Sequence, residues 1–168
     1  LFPDAPDAAN AFSLSYALAQ LDSHHLQWIE SLPQHLAVDI TFFAFHGTPR
    51  SDSTYLLEAV ESGEPVLRST QELQQETHGV SQPVLLCGHS HLSHTVLLPS
   101  GTLIVNPGSV GVPAYADDVP YRHRMQAGSP LASYAILSPS SEQWAVSHIL
   151  VPYDTAAAAE TAQRNGRP

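Results

Sequence analysis

Two short apolar runs, each closing on a histidine beside a glycine, constrain this chain more than any other feature. Residues 84–91 read Val-Leu-Leu-Cys-Gly-His-Ser-His, and residues 41–47 read Thr-Phe-Phe-Ala-Phe-His-Gly. Apolar runs this short, rich in aromatic or branched side chains, are strand material. Alternate residues of an extended chain face one side, so His89 and His91 are expected to aim their imidazoles at one region just past the strand. Gly88 has no Cβ, which allows a tight turn or a close approach of another group. Imidazole is a ligand for zinc, iron, nickel and related ions, and in open α/β sheets ligands gather beyond the carboxyl ends of strands. His46, ending the earlier run, is expected to join the same edge. Taken alone, His89 and His91 also read as two loop histidines facing solvent.

The charge balance narrows the partners. The formal net charge is −10, and all 6 basic residues are Arg. Duplex binding needs clustered Lys and Arg to displace phosphate counterions, and the nearest approach to a cluster is Arg122-His123-Arg124, so no nucleic-acid-binding surface is expected. An acidic surface repels anionic substrates at long range, so an anionic substrate would depend on local cations. The single cysteine, Cys87, excludes an intrachain disulfide and reads as a small buried residue. No apolar run approaches the ~20 residues of a membrane span, and residues 1–10 lack a secretory pattern; a cytoplasmic location is expected. With 168 residues the chain suits one domain. Opening on Leu1 rather than Met, it is expected to be a trimmed or processed segment.

Taken in order, residues 1–10 read as an irregular entry segment rich in Pro and Asp. Residues 12–32 carry Leu14, Leu18, Leu21, Leu26, Ile29 and Leu32 at helical spacing, with Pro33 as the stop, and predict one helix packed on a sheet, Trp28 in its core face. Neighbouring His24 and His25 diverge by about 100° on that helix and cannot serve one site. Residues 38–45 predict a strand. Asp52 or Ser53 then caps a helix through Tyr55, Leu56, Leu57, Ala59 and Val60. A short polar helix over 69–77, capped by Ser69 or Thr70, ends at Gly79. After the 84–87 strand, residues 95–98 and 102–105 form a hairpin about Pro99-Ser100-Gly101, and His94 is at best a support to the site. Residues 112–130 read as a long irregular loop whose aromatic and charged residues make it a substrate-selecting lid; Asp117 and Asp118 are weak metal-ligand candidates. Strands over 132–137 and 144–151 follow, and Thr155 caps an alanine-rich helix ended by Asn165-Gly166.

The pieces His46-Gly47-Thr48-Pro49-Arg50, Gly88-His89-Ser90-His91, Asn106-Pro107-Gly108-Ser109-Val110-Gly111, Ala132-Ser133-Tyr134-Ala135-Ile136-Leu137 and Val151-Pro152-Tyr153-Asp154 occur in one order across most of the chain. In that order they resemble the calcineurin-like metallophosphoesterases, specifically the small bacterial phosphodiesterase-type branch. The resemblance implies an α/β (α+β) chain forming part of a four-layer α/β/β/α two-sheet sandwich. It implies a hydrolase, a phosphatase or phosphodiesterase acting on a small phosphoester, in which two divalent ions (Mn, Fe, Zn, Ni or Co) polarise the phosphoryl group and activate water for in-line attack. His46, His89 and His91 would be metal ligands, and no protein nucleophile is needed. Arg50, Asn106, Ser109 and Tyr115 are the expected substrate-binding residues, Arg50 through its planar fork or else paired with Asp52.

The chain departs from the family in one respect. An Asp-x-His, a Gly-Asp carrying the bridging carboxylate and a Gly-Asn motif precede the first helix in the family, and none precedes the first helix here. This chain therefore resembles the middle and C-terminal portion of an incomplete domain, and alone it is expected to be inactive or only weakly metal-binding. The competing expectations are a non-catalytic binding or oligomerisation module of the same fold, and a mononuclear zinc hydrolase using the three histidines with water in the fourth place.

Overall fold

The computed structural model of the chain describes residues 8–141 and 144–166. The expected irregular entry lies outside the described residues except at its end, where Ala8 already begins a helix. The chain divides into two compact units, Gln34–Tyr153 and a second made of Leu1–Pro33 with Asp154–Pro168. Among the described residues, no helix is long and apolar enough to cross a membrane.

The larger unit is built on a five-stranded mixed sheet. Its strands are β1 (His35–Ala37), β2 (Phe42–Phe45), β5 (Val84–Leu86), β6 (Ser93–Leu97) and β7 (Leu103–Pro107), in the order β1-β2-β5-β7-β6. The inner strands β2, β5 and β7 run parallel, with Phe42 beside Val84 and Val84 beside Leu103, so their carboxyl ends finish along one edge. The two-residue alternation of strands splits the apolar side chains between two faces. Phe45, Leu85, Cys87 and Ile104 pack with Leu56, Leu57 and Leu73, the last from α3 (Thr70–Glu76). Val84, Leu103 and Val105 pack instead against Ala135, Leu137, Trp144 and Val146, which belong to the antiparallel pair β10 (Ala132–Pro139) and β11 (Trp144–Val151). Helix, sheet and second sheet thus form three layers of the expected α/β/β/α arrangement, and the chain is of the mixed α/β class.

Several elements differ from the sequence expectation. Residues 38–45 are not one strand: the Asp39 carboxylate accepts from the backbone N–H of Thr41 and Phe42 at 2.7 and 2.9 Å, closing a turn between β1 and β2. The helix expected over 55–60 is absent. Tyr55 joins one buried cluster while Leu56 and Leu57, in a bend, fill another, and the chain continues into the hairpin β3 (Glu58–Glu61) and β4 (Glu64–Leu67). Residues 112–130 are not irregular throughout; they contain the hairpin β8 (Ala114–Asp117) and β9 (His123–Gln126). α3 follows the expectation closely, with Ser69 and Glu72 forming a reciprocal capping box.

In the other unit, the single helix expected over 12–32 is two, α1 (Ala8–Gln20) and α2 (Ser23–Ser31). Asp22 breaks it, because its extended backbone and its carboxylate, accepting from the His25 N–H at 2.9 Å, make it an N-cap. Trp28, expected in a core, is 60% exposed. α4 (Thr155–Arg164) is capped by Asp154, one residue before the expected Thr155.

Candidate functional site

Three parallel strand ends supply the site. His46 follows β2, Cys87-Gly88-His89 follows β5, and Asn106 lies near the end of β7. The Gly88 N–H donates to the His46 carbonyl at 2.7 Å, which ties the first two ends together. The His46 and His89 rings lie 5.0 Å apart between centroids, and both feel the charge of His91. Of the three histidines expected to converge, His46 and His89 meet ring to ring, and His91 acts on both through its charge.

The turn that carries them is not the extended segment expected. His89 and His91 have φ of 68° and 62°, left-handed conformations that side chains seldom adopt. They therefore do not follow the alternation of a strand; both flank Ser90 in left-handed backbone. Asn106 holds this turn. It is almost fully buried, its amide donates to the Gly88 carbonyl at 2.9 Å and to Ser90 Oγ at 3.0 Å, and its oxygen accepts from the Gly108 N–H at 3.0 Å. Gly47 has no room for a side chain, since a Cβ would stand 2.5 Å from the Thr54 carbonyl oxygen and 2.7 Å from that of Ser51; at Gly88 the nearest atoms lie at ordinary contact distance.

Each imidazole is set toward its neutral form or a defined tautomer. Burial lowers the His46 pKa, opposed by the charge of Asp52 and reinforced by His91. Burial also lowers that of His89, with His46 adding to the shift and a hydrogen bond to the Ser53 backbone and the charge of Asp117 opposing it. His91 Nδ1 donates to the Val112 carbonyl at 2.8 Å, which orients the ring and leaves Nε2 as the nitrogen not used in that bond.

An aromatic wall backs these rings. Tyr55 stacks on His89 at 4.5 Å and 23°, and Tyr115 meets His91 edge to face at 5.1 Å. The Tyr115 hydroxyl donates to the His89 carbonyl at 3.0 Å and lies 3.1 Å from the Tyr55 hydroxyl. Tyr55 in turn meets Asp117 Oδ2 at 3.3 Å and His123 Nε2 at 3.1 Å. Burial raises both phenol pKa values, that of Tyr115 to about 12, so both stay protonated as donors.

The remaining candidates lie elsewhere or are engaged in structure. Arg50 does not pair with Asp52; its fork donates to the Glu76 carbonyl at 3.1 Å and the His78 carbonyl at 2.9 Å, at the C-terminal end of α3. Asn106, expected at the substrate, is a buried brace. Ser109 Oγ donates to the Gly111 carbonyl at 2.6 Å within its own turn. Of the expected substrate-binding residues, Tyr115 alone contacts the histidines in the rings and bonds described. Asp118 pairs loosely with Arg122 at 3.9 Å and stays exposed. Residues the sequence did not single out are Tyr55, hidden in a helical reading, and buried Glu58, whose Oε1 accepts from His94 Nδ1 at 2.9 Å.

Neutral imidazoles with a free ring nitrogen are the right donors for a divalent metal. Among the described residues, though, no group of three or more His, Cys, Asp or Glu is placed to hold an ion. The donor type fits a metal centre; Asp52 and Asp117 lie near enough to act on His46 and His89 through their charge but do not complete a ligand set with them.

The sequence matches no protein-family model and no curated protein. Among solved structures it is similar to a metallophosphoesterase from Sphaerobacter thermophilus, with 24% identity and a TM-score of 0.68, over 98% of this chain and 67% of that one. A single mutant of Vps29 from Entamoeba histolytica aligns with 16% identity and a TM-score of 0.42, over 73% of this chain and 63% of that one, a score too low to carry an argument. The sheet, its layers and the first of these similarities together establish that the chain has the metallophosphoesterase fold.

Proposed function

We propose that this chain is the imidazole-bearing part of a metal-dependent phosphoesterase. His46, His89 and His91 would hold divalent metal, completed by carboxylates from residues other than these 168. The observation that carries the reading is the meeting of His46 and His89, 43 positions apart and on neighbouring parallel strands, with ring centroids 5.0 Å apart. Bound metal would supply Lewis-acid polarisation of a phosphoryl group and activation of water. The chain's own residues would hold those ions and orient what binds them: Val112 fixes the His91 tautomer, Asn106 braces the turn, and Tyr115 offers a protonated phenol. The β8–β9 hairpin, tied to the histidines through Tyr115, would shape access for a small phosphoester.

Titration calorimetry with Mn²⁺ and Zn²⁺ tests the metal site. The expected result is measurable uptake by the chain, weakened about 10-fold to 100-fold in His89→Ala and in His91→Ala. Uptake unchanged in both variants would overturn it. Hydrolysis of a bis-aryl phosphate with Mn²⁺ is expected from a polypeptide that also carries the acidic motifs. No turnover there would leave the non-catalytic module as the better reading.

A further inference from the structure

The β8–β9 hairpin has two faces, and the histidine site uses only one. Tyr115, Asp117, His123 and Met125 point inward, toward Tyr55. Arg122, Arg124 and Gln126 alternate with them and line a cleft of about 600 Å³ between this hairpin and the β3–β4 turn. That volume is within the range of small-molecule sites.

The composition of this cleft is unusual for the chain. Two of its 6 basic residues stand on one wall of a molecule whose formal net charge is −10. Arg124 has no hydrogen bond or ion pair among the described residues. Arg122 has only the long 3.9 Å pair with Asp118, and both partners are solvent-exposed, so a ligand displaces it at little cost. Opposite Arg124 in the β8–β9 register stands Ala116, whose small side chain leaves the guanidinium room. The far wall approaches closely because residue 63 is glycine: a Cβ there would lie 3.2 Å from the Arg122 carbonyl, at a φ of 87°.

We infer that this cleft is a second anion site, separate from the histidines, that binds a small molecule carrying two phosphate-type groups. Arg122 stands one residue before β9 and Arg124 within it, so their Cα atoms lie at most about 7 Å apart. The guanidinium groups of Arg122 and Arg124 therefore suit two linked anionic groups better than a single orthophosphate. Each presents a planar fork that matches phosphate oxygens. Glu64, on the facing wall, repels a further anion and accepts from a hydroxyl or amine of the ligand.

The test is calorimetric titration of the full chain with inorganic tripolyphosphate and with orthophosphate, both with EDTA present so that metal plays no part. Tripolyphosphate is expected to bind more tightly than orthophosphate and to weaken steeply with added salt. Arg124→Ala should weaken binding at least about tenfold, and the Arg122→Ala/Arg124→Ala pair should remove it. His89→Ala should bind like the wild type. Both arginines are exposed, so near-ultraviolet circular dichroism should be the same in every arginine variant. Failure of the wild type to bind tripolyphosphate, equal affinity for orthophosphate, or full binding by the arginine pair variant would each overturn the inference. Loss of binding in His89→Ala would do so as well, by moving the anion to the histidine corner.

Discussion

His89 and His91 occupy left-handed backbone, φ 68° and 62°, where a side chain costs roughly 1–2 kcal/mol. Stacking on Tyr55 returns about 0.5–1.5 kcal/mol to His89. The two effects nearly offset, so His89→Gly is expected to shift unfolding free energy by less than about 1 kcal/mol while metal uptake collapses. Denaturant unfolding beside calorimetry checks this, and a large loss of stability would show that His89 is held for packing. Asn106 has the opposite profile. Asn106→Ala leaves the Gly108 N–H without its acceptor in a buried turn, while the Gly88 carbonyl keeps the Ser90 N–H and Ser90 Oγ keeps the Leu92 N–H, with an expected loss of about 1–3 kcal/mol. The pH dependence follows from burial. His46 and His89 bind protons less readily folded than unfolded, so the folded chain is at full advantage above their ordinary value of 6.5 and loses it as pH falls from there. Melting temperature should therefore drop between about pH 7.5 and 5.5, and drop less in His46→Asn. An equal slope in wild type and variant would sink that assignment.

At the scale of elements, local chemistry predicted well where one residue controls one turn. Ser69 and Glu72 announce α3, and their capping box is present; Gly79, at φ 91°, follows its end. α3 is short, and Leu73 is its fully buried residue, so Leu73→Ala is expected to cost about 2–5 kcal/mol by leaving a cavity among Leu56, Leu57 and Ile104. Thermal melts would register that loss, and a change below about 1 kcal/mol would mean the layer can collapse around the gap. Misreadings arose where an Asp or a split core overrode periodicity. Asp22 diverts backbone donors to its own carboxylate and cuts one helix into two. Tyr55, Leu56 and Leu57 carry a helical pattern yet serve two different clusters, so tertiary packing overrides it and the run bends into β3. The β8–β9 hairpin was hidden because three of its inward residues, Tyr115, Asp117 and His123, are polar and each hydrogen-bonds to Tyr55.

For the whole molecule, all three buried clusters lie within Gln34–Tyr153, and neither α2 nor α4 contains a buried residue. A fragment of residues 34–153 is therefore expected to unfold cooperatively with a near-ultraviolet signal like that of the full chain. A broad, non-cooperative melt would show that the helices outside it are needed for the core. The sheet edge where His46 and His89 meet could be anticipated from residues 41–47 and 84–91, because an apolar run and its terminal turn are neighbours in sequence. The aromatic wall could not. Tyr55 finds Asp117 and His123 at separations of 62 and 68 residues, and Glu58 finds His94 at 36. No period or cap encodes such pairs; they form because folding buries polar groups that must then find partners.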